Sequence, residues 1–261
     1  MKKIIAVLLS FIFVLSLTSC SSSVKEVTIE DIKNRGVLRV GVKDSLIGMG
    51  YLNPNSNEYE GLEIDIARKI AEEIGVDVEF LVVTPTTRLQ MIDSGDIDIS
   101  LSNFTITEER QKSYHFTSPY YTDAVGVMVL KNSGISSLED LRGKTIGVTI
   151  SSTSANALKE HMGADFDIKV DEFEDHAAIK LALSAGAVDA HCIDTVVLNT
   201  YMDETTTILS ERFSAQPFGV VSKLSNTSLN AYMDSLIEKW NADGTISQMI
   251  SANGLMPSYE G

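Results

Sequence analysis

From Val37 onward the chain alternates short β-type runs with amphipathic helical patterns, and this alternation is the strongest constraint on its fold. "VLRVGV" reads as a strand. It is followed by "LEIDIARKIAEEIG", where Leu62, Ile66, Ile70 and Ile74 recur every four residues and Gly75 closes the helix. "VDVEFLVV" alternates as a strand, "TRLQMIDSG" is a short helix, and "DIDISLS" is another strand. Strands separated by helices need crossover connections, and burying both element types gives a parallel sheet covered on its two faces.

The pattern pauses once and restarts. Before it, "TIEDIKNRG" carries Thr28 and Asp31 in capping-box spacing and stops at Gly36. At "SPYYTDAVGVMVLKNSG" a single extended segment carries the chain onward, and Ser137 with Asp140 then opens a second capped turn. "KTIGVTI", "FDIKVDEF" and "AVDAHCI" read as strands, each followed by a helical stretch, the last being "DTVVLNTYM". "SAQPFGVVSK" is extended again, and the chain ends in helices around "SLNAYMDSLIEKW" and "TISQMIS". The expected fold is α/β with two lobes, each a mostly parallel sheet flanked by helices. Lobe 1 is expected over 28–126 plus 221–261 and lobe 2 over 127–220, with two hinge strands crossing near 126–130 and 216–221.

The N-terminus reads as a processing segment. Lys2 and Lys3 precede the apolar run Ile4 to Leu17, which is short for a membrane span, so residues 1–19 are expected to be a signal peptide. "LTSC" resembles a lipobox, which implies a lipid on Cys20 and a tether over 20–27. The other cysteine, Cys192, lies in an apolar run and reads as a buried structural thiol. Residues 1–19 hold two lysines and no acid, so their removal takes the formal charge from −15 to −17. Such a surface argues against nucleic acid or an anionic membrane surface as partner, but not against a small anion where cations gather locally.

Cations do gather. Ligands of open parallel sheets bind beyond the carboxyl ends of the strands. In the first lobe these ends deliver Lys43, then Arg88, then Asn103, Thr105 and Arg110. In the second they deliver the hydroxyl-rich helix start Ser151 to Ser154, with Ser152 and Thr153 central, and Asp194. Taken singly, Arg88 and Lys43 read as solvated surface cations and Asp194 as the cap of its own helix. Arg110 is harder to explain away. Thr107 caps its helix and Glu108 and Glu109 complement the dipole, whereas a first-turn cation costs roughly a few tenths of a kcal/mol unless an anion lies opposite. Arg110 is therefore expected to face a carboxylate between the lobes, with Asp194 placed for an ammonium, a pairing that suits an α-amino acid.

"GVLRVGV", "YEGLEIDIARKIAEEIG", "DIDISLSNFTITEERQKSYHFTSPYY", "SLEDLRGKTIGV", "VDAHCIDTVVL" and "EKWNADGTISQMI" together closely resemble the family 3 solute-binding proteins, the polar amino-acid receptors of ABC importers. The resemblance implies a periplasmic-binding-protein type II fold, carboxylate binding at Thr105, Arg110 and Thr153, and ammonium binding at Asp194. "VTPTTRLQMIDSG", "GVKDS" and "YYTDAVGVMVLK" look most like the aspartate/glutamate branch, which implies that Lys43 and Arg88 take a side-chain carboxylate. Leu46 and Pro85 stand where relatives often place aromatic rings, and Ser151 and Ser152 where "GT" is common, so ligand identity is the least constrained part. Tyr51 is an alternative ring donor.

The expectation is thus a monomeric receptor, lipid-anchored at the outer face of the bacterial membrane. It binds glutamate or aspartate and passes it to an ABC permease complex, without cofactor or metal. Glutamine or another polar amino acid is the alternative. A sensor role would need a separate transmitter protein. A cyclohexadienyl dehydratase would need a general acid, for which Asp194 or His191 is the evident candidate. His115, His161, His176 and His191 fall in no metal-ligand spacing, and "GMGYLN" lacks the rest of a dinucleotide fingerprint.

Overall fold

The computed structural model describes residues 26–260. The signal segment and the lipidation site expected at Cys20 lie outside the described residues. Each of two lobes is built on its own sheet. In the first the strands run in the order Asp77–Val82, Val37–Val42, Ile99–Leu101, Val221–Lys223, Tyr114–Phe116. The first three are parallel, with Val40 paired to Phe80 on one side and Ile99 on the other. The last two pair antiparallel.

The second sheet repeats the plan. Lys169–Phe173, Thr145–Thr149 and Ala190–Asp194 are parallel, and Tyr121–Leu130 then joins antiparallel with Thr206–Ile208 and Phe213–Phe218 along it. The sheets are therefore mixed. They are parallel where strands alternate with helices and antiparallel where a strand arrives straight from the other lobe, a connection that needs no helix.

Strand Tyr121–Leu130 pairs along its whole length with strands of the second lobe. The first crossing therefore precedes Tyr121, ahead of the 126–130 expected from sequence, while the second runs through Phe218–Val221, between the strand facing Tyr121 and the one facing Phe116. The reason is that "AVGVMVL" is one continuous apolar run, with no residue to mark where hinge becomes sheet.

Local chemistry explains the elements that hold the strand ends in place. The Thr28 hydroxyl accepts from the Asp31 amide and the Asp31 carboxylate accepts from the Thr28 amide, and Gly36 ends that helix at φ 77°. In helix Leu62–Ile74 the stripe Leu62, Ile66, Ile70 and Ile74 is buried. At about 1.5–3 kcal/mol for each fully buried side chain, that stripe is a main tie of helix to sheet. The C-terminal helices Thr227–Ala242 and Thr245–Ala252 return to the first lobe, where Ile237, Trp240 and Ile246 join the same core. A small hairpin sheet, Ser45–Leu46, Gly50–Asn53 and Glu58–Glu60, was not legible in the sequence.

Gly41 shows how closely the first lobe is packed on the sheet's other cluster, that of Val83 and Ile97. A Cβ there would lie 2.5 Å from Ile97 Cδ1 and 2.9 Å from Val83 Cγ1. Gly41→Ala is expected to lower unfolding stability by about 1–3 kcal/mol, read from the urea midpoint. An unchanged midpoint would contradict this packing.

Candidate ligand-binding cleft

The expected ligand residues converge on the seam between the lobes. Arg88, Asn103, Thr105, Arg110, Ser152, Thr153 and Asp194 line a tight cavity of ≈ 30 Å³. Lys43 lines a second one of ≈ 370 Å³, and Pro85, Asn103 and His176 border both, so the two adjoin.

Arg110 does not point to solvent. Its Nη1 donates to the Thr105 carbonyl at 2.7 Å, and its Nη2 donates to the Ser151 carbonyl of the other lobe at 2.9 Å. Thr107 Oγ1 accepts from the Arg110 amide at 3.2 Å, as its capping role predicts. The guanidinium carbons of Arg88 and Arg110 lie 3.4 and 4.4 Å from the centre of the Phe104 ring. Aromatic contact compensates part of the lost hydration of the buried Arg88 and the half-buried Arg110. Arg88 is 5% exposed and donates to the Ser102 carbonyl at 3.2 Å, while its Nε has no partner among the described residues. Burial lowers both pKa values, Arg88 to about 9 with Arg110 as second cause, and Arg110 to about 10. Both remain cations at neutral pH.

Asp194 faces them from the opposite lobe. One carboxylate oxygen accepts from Asn103 Nδ2 at 3.2 Å across the seam, and the other has no partner among the described residues. It does not cap its own helix. Burial first, then the neighbouring Asp123, raises its pKa to about 8 against the pull of Arg110 and Arg88. A buried acid with one open oxygen is a binding element for a cation.

The seam also carries backbone strain. Asn103 at φ 44° and Ser151 at φ 65° are non-glycine residues in the left-handed region, one on each lobe. The Ser152 amide is committed to the Thr149 carbonyl at 3.1 Å and the Thr153 hydroxyl donates to Gln216 Oε1 at 2.8 Å. The Ser152 amide, at the helix start expected to face the ligand, is thus already used within its own lobe.

Lys43 belongs to the larger cavity, with Asp44, Ser45, Thr84 and Tyr201. Burial and then Arg88 lower its pKa to about 7, opposed by Glu63 and Asp44. Arg88 does not line this cavity, so the two cations grouped on resemblance occupy different compartments.

Some site residues escape sequence reasoning. Glu63 is fully buried, and its Oε1 accepts from the Asn103 amide at 2.5 Å and from the Tyr120 hydroxyl at 2.5 Å. Burial raises its pKa, against those two bonds and the charges of Lys43 and Arg88. In the sequence it is one more first-turn acid. His176 reads as structural or exposed, yet it borders both cavities with Nδ1 unpartnered among the described residues. Burial, then Lys43 and Arg88, lowers its pKa to about 3, which keeps the ring neutral. It follows strand Lys169–Phe173, so the strand-end rule that picks out the other residues applies to it as well. Tyr51 sits in the hairpin and lines neither cavity.

Comparison with known proteins agrees with this architecture. The sequence matches the bacterial extracellular solute-binding proteins, family 3, over residues 38–253. It is 32% identical over 265 residues to the ABC transporter glutamine-binding protein of Bacillus subtilis, covering 95% of this chain and 96% of that one. It is 38% identical over 201 residues to the glutamine-binding protein of Geobacillus stearothermophilus, covering 75% and 76%. The crystal structure of an ancestral amino acid-binding protein, a precursor of cyclohexadienyl dehydratase, superposes with a TM-score of 0.75 at 28% identity, covering 86% of this chain and 98% of that one.

Proposed function

We propose that this chain, which belongs to family 3 of the bacterial extracellular solute-binding proteins, closes on an acidic α-amino acid, glutamate or aspartate, and presents it to an ABC permease complex. The observation that carries the reading is the opposition of Arg110 and Asp194 across a closed seam that opens sideways into the compartment of Lys43. The ligand α-carboxylate takes the fork of Arg110 with Thr105 and Thr153, and its ammonium takes the open oxygen of Asp194. The side chain extends past Asn103 and His176 towards Lys43. Arg88 supports the site from beneath, stacked on Phe104. Because ligand contacts both lobes, it favours the closed state. Lipid attachment at Cys20 keeps the monomeric receptor near its permease at the outer face of the membrane.

Glutamine is the second reading, favoured by Glu63. That buried acid already offsets part of the positive charge of Lys43 and Arg88, and both relatives named above are glutamine-binding proteins. Calorimetric titration with L-glutamate, L-aspartate, L-glutamine and L-arginine separates the readings. Glutamate or aspartate is expected to bind most tightly; tightest binding of glutamine would replace the acidic reading by the second, and tightest binding of arginine would sink both.

A pH series adds a sharper test. Free Lys43 titrates at about 7 and a bound carboxylate raises its pKa, so its contribution to glutamate affinity is present below pH 7 and fades as pH rises above it. Asp194 acts oppositely: its carboxylate form, needed for ammonium, grows in as pH rises through about 8, and it does so for glutamate and glutamine alike. The ratio of glutamate to glutamine affinity is therefore expected to fall between pH 6 and 9, up to about tenfold per unit. A constant ratio would remove Lys43 from side-chain recognition.

A further inference from the structure

An aspartate at a helix N-terminus ordinarily turns its carboxylate back onto the amide two or three residues on. Asp194 precedes helix Thr195–Tyr201 and makes no such bond. The amide it would take, that of Val196, donates instead to Asp123 Oδ2 at 2.8 Å. The Thr195 hydroxyl donates to Asp123 Oδ1 at 2.5 Å. Asp123 is 3% exposed and lies on strand Tyr121–Leu130, two strand positions from Val125, the residue paired with Asp194. A side chain from the neighbouring strand thus does the capping that Asp194 would otherwise do for itself.

Two consequences follow for the seam. With the Val196 amide and the Thr195 hydroxyl taken by Asp123, two of the donors local to Asp194 are occupied, and its carboxylate is turned to the cleft, where Asn103 reaches it and one oxygen stays open. Asp123 also places a second acid behind the first, which strengthens the preference of Asp194 for a cationic partner. Neither role is legible in sequence, because "YYTDAVG" and "CIDTVVL" lie about seventy residues apart and only the antiparallel pairing brings them together.

We infer that Asp123 is a positioning residue for ligand recognition: by capping helix Thr195–Tyr201 it frees the Asp194 carboxylate for the ligand ammonium. This rests on the reading of Asp194 given under Proposed function, and the test separates the two.

Affinities of L-glutamate and of its deamino analogue glutarate are measured by calorimetry on wild type, Asp123→Ala, Asp123→Asn and Asp194→Ala, with L-glutamine and glutaramate used in parallel should the amide bind more tightly. Asp123→Ala is expected to weaken the amino acid about tenfold, the scale of a lost cap and a misdirected carboxylate, while leaving the deamino analogue within about twofold. The preference for the amine therefore collapses. Asp123→Asn keeps an acceptor for Val196 and should restore most of that preference. Equal losses for both ligands in Asp123→Ala, or no loss, would overturn the assignment, since a merely structural defect of the lobe weakens both alike. If Asp194→Ala keeps the full preference for the amine, the ammonium reading falls, and the role of Asp123 falls with it. Should Asp123→Ala fold poorly, Asp123→Ser, with one acceptor left, is expected to show the same loss of preference at smaller size.

Discussion

Arg110→Ala is expected to weaken L-glutamate binding by at least about 30-fold, measured by calorimetry. The guanidinium is the cation that contacts both lobes, through the Thr105 carbonyl on one side and the Ser151 carbonyl on the other. Removing it takes away a forked partner for the ligand carboxylate and one of the bonds that closes the seam. Losing one member of a buried charge pair costs roughly 2–5 kcal/mol, or about 30- to 5000-fold. Arg110→Lys keeps the charge but not the fork, and should recover only part of the loss. A variant within about threefold of wild type would mean that the ligand carboxylate is held elsewhere.

The largest effect on stability is expected at Glu63. Its carboxylate accepts from the Asn103 amide and the Tyr120 hydroxyl and faces the charges of Lys43 and Arg88. Glu63→Ala leaves two donors without their acceptor and removes a buried acid that acts on both Lys43 and Arg88. The expected cost is about 3–5 kcal/mol, seen in the urea midpoint without ligand. Glu63→Gln retains an acceptor and should cost less. Saturating glutamate should stabilise Glu63→Ala more than it does wild type, because the ligand then brings the carboxylate that the cations lack. Equal stabilisation of both would separate Glu63 from the cleft.

These two residues also mark what the sequence discloses. Arg110 stands out in the sequence as a cation directly after two first-turn acids, although helix Glu108–Gln111 is a single turn, so that Arg110 belongs to its last turn as well and does not oppose the dipole. The strand ends announce Lys43, Arg88, Thr105 and Asp194 in the same way, since alternating strands and helices fix which edge of a sheet each loop occupies. Glu63 obeys every local rule. Nothing in "GLEIDIARKI" distinguishes a first-turn acid that meets solvent from one that meets Asn103 forty residues away. Asp123 is concealed for the same reason, whereas His176 follows the end of strand Lys169–Phe173 and falls under the rule that marks the others. The hinge lies ahead of an unbroken apolar run, Ala124 to Leu130, that offers no residue to mark it. The hairpin Ser45–Glu60 went unread because its strands are only two to four residues long.

A crystal structure of the chain grown with L-glutamate tests most directly how the zwitterion lies between the lobes. The expected map has the α-carboxylate on Arg110, the ammonium on Asp194 and the side-chain carboxylate beyond Asn103 at Lys43. A ligand turned end for end, with its ammonium in the Lys43 compartment, or density outside the seam altogether, would contradict it.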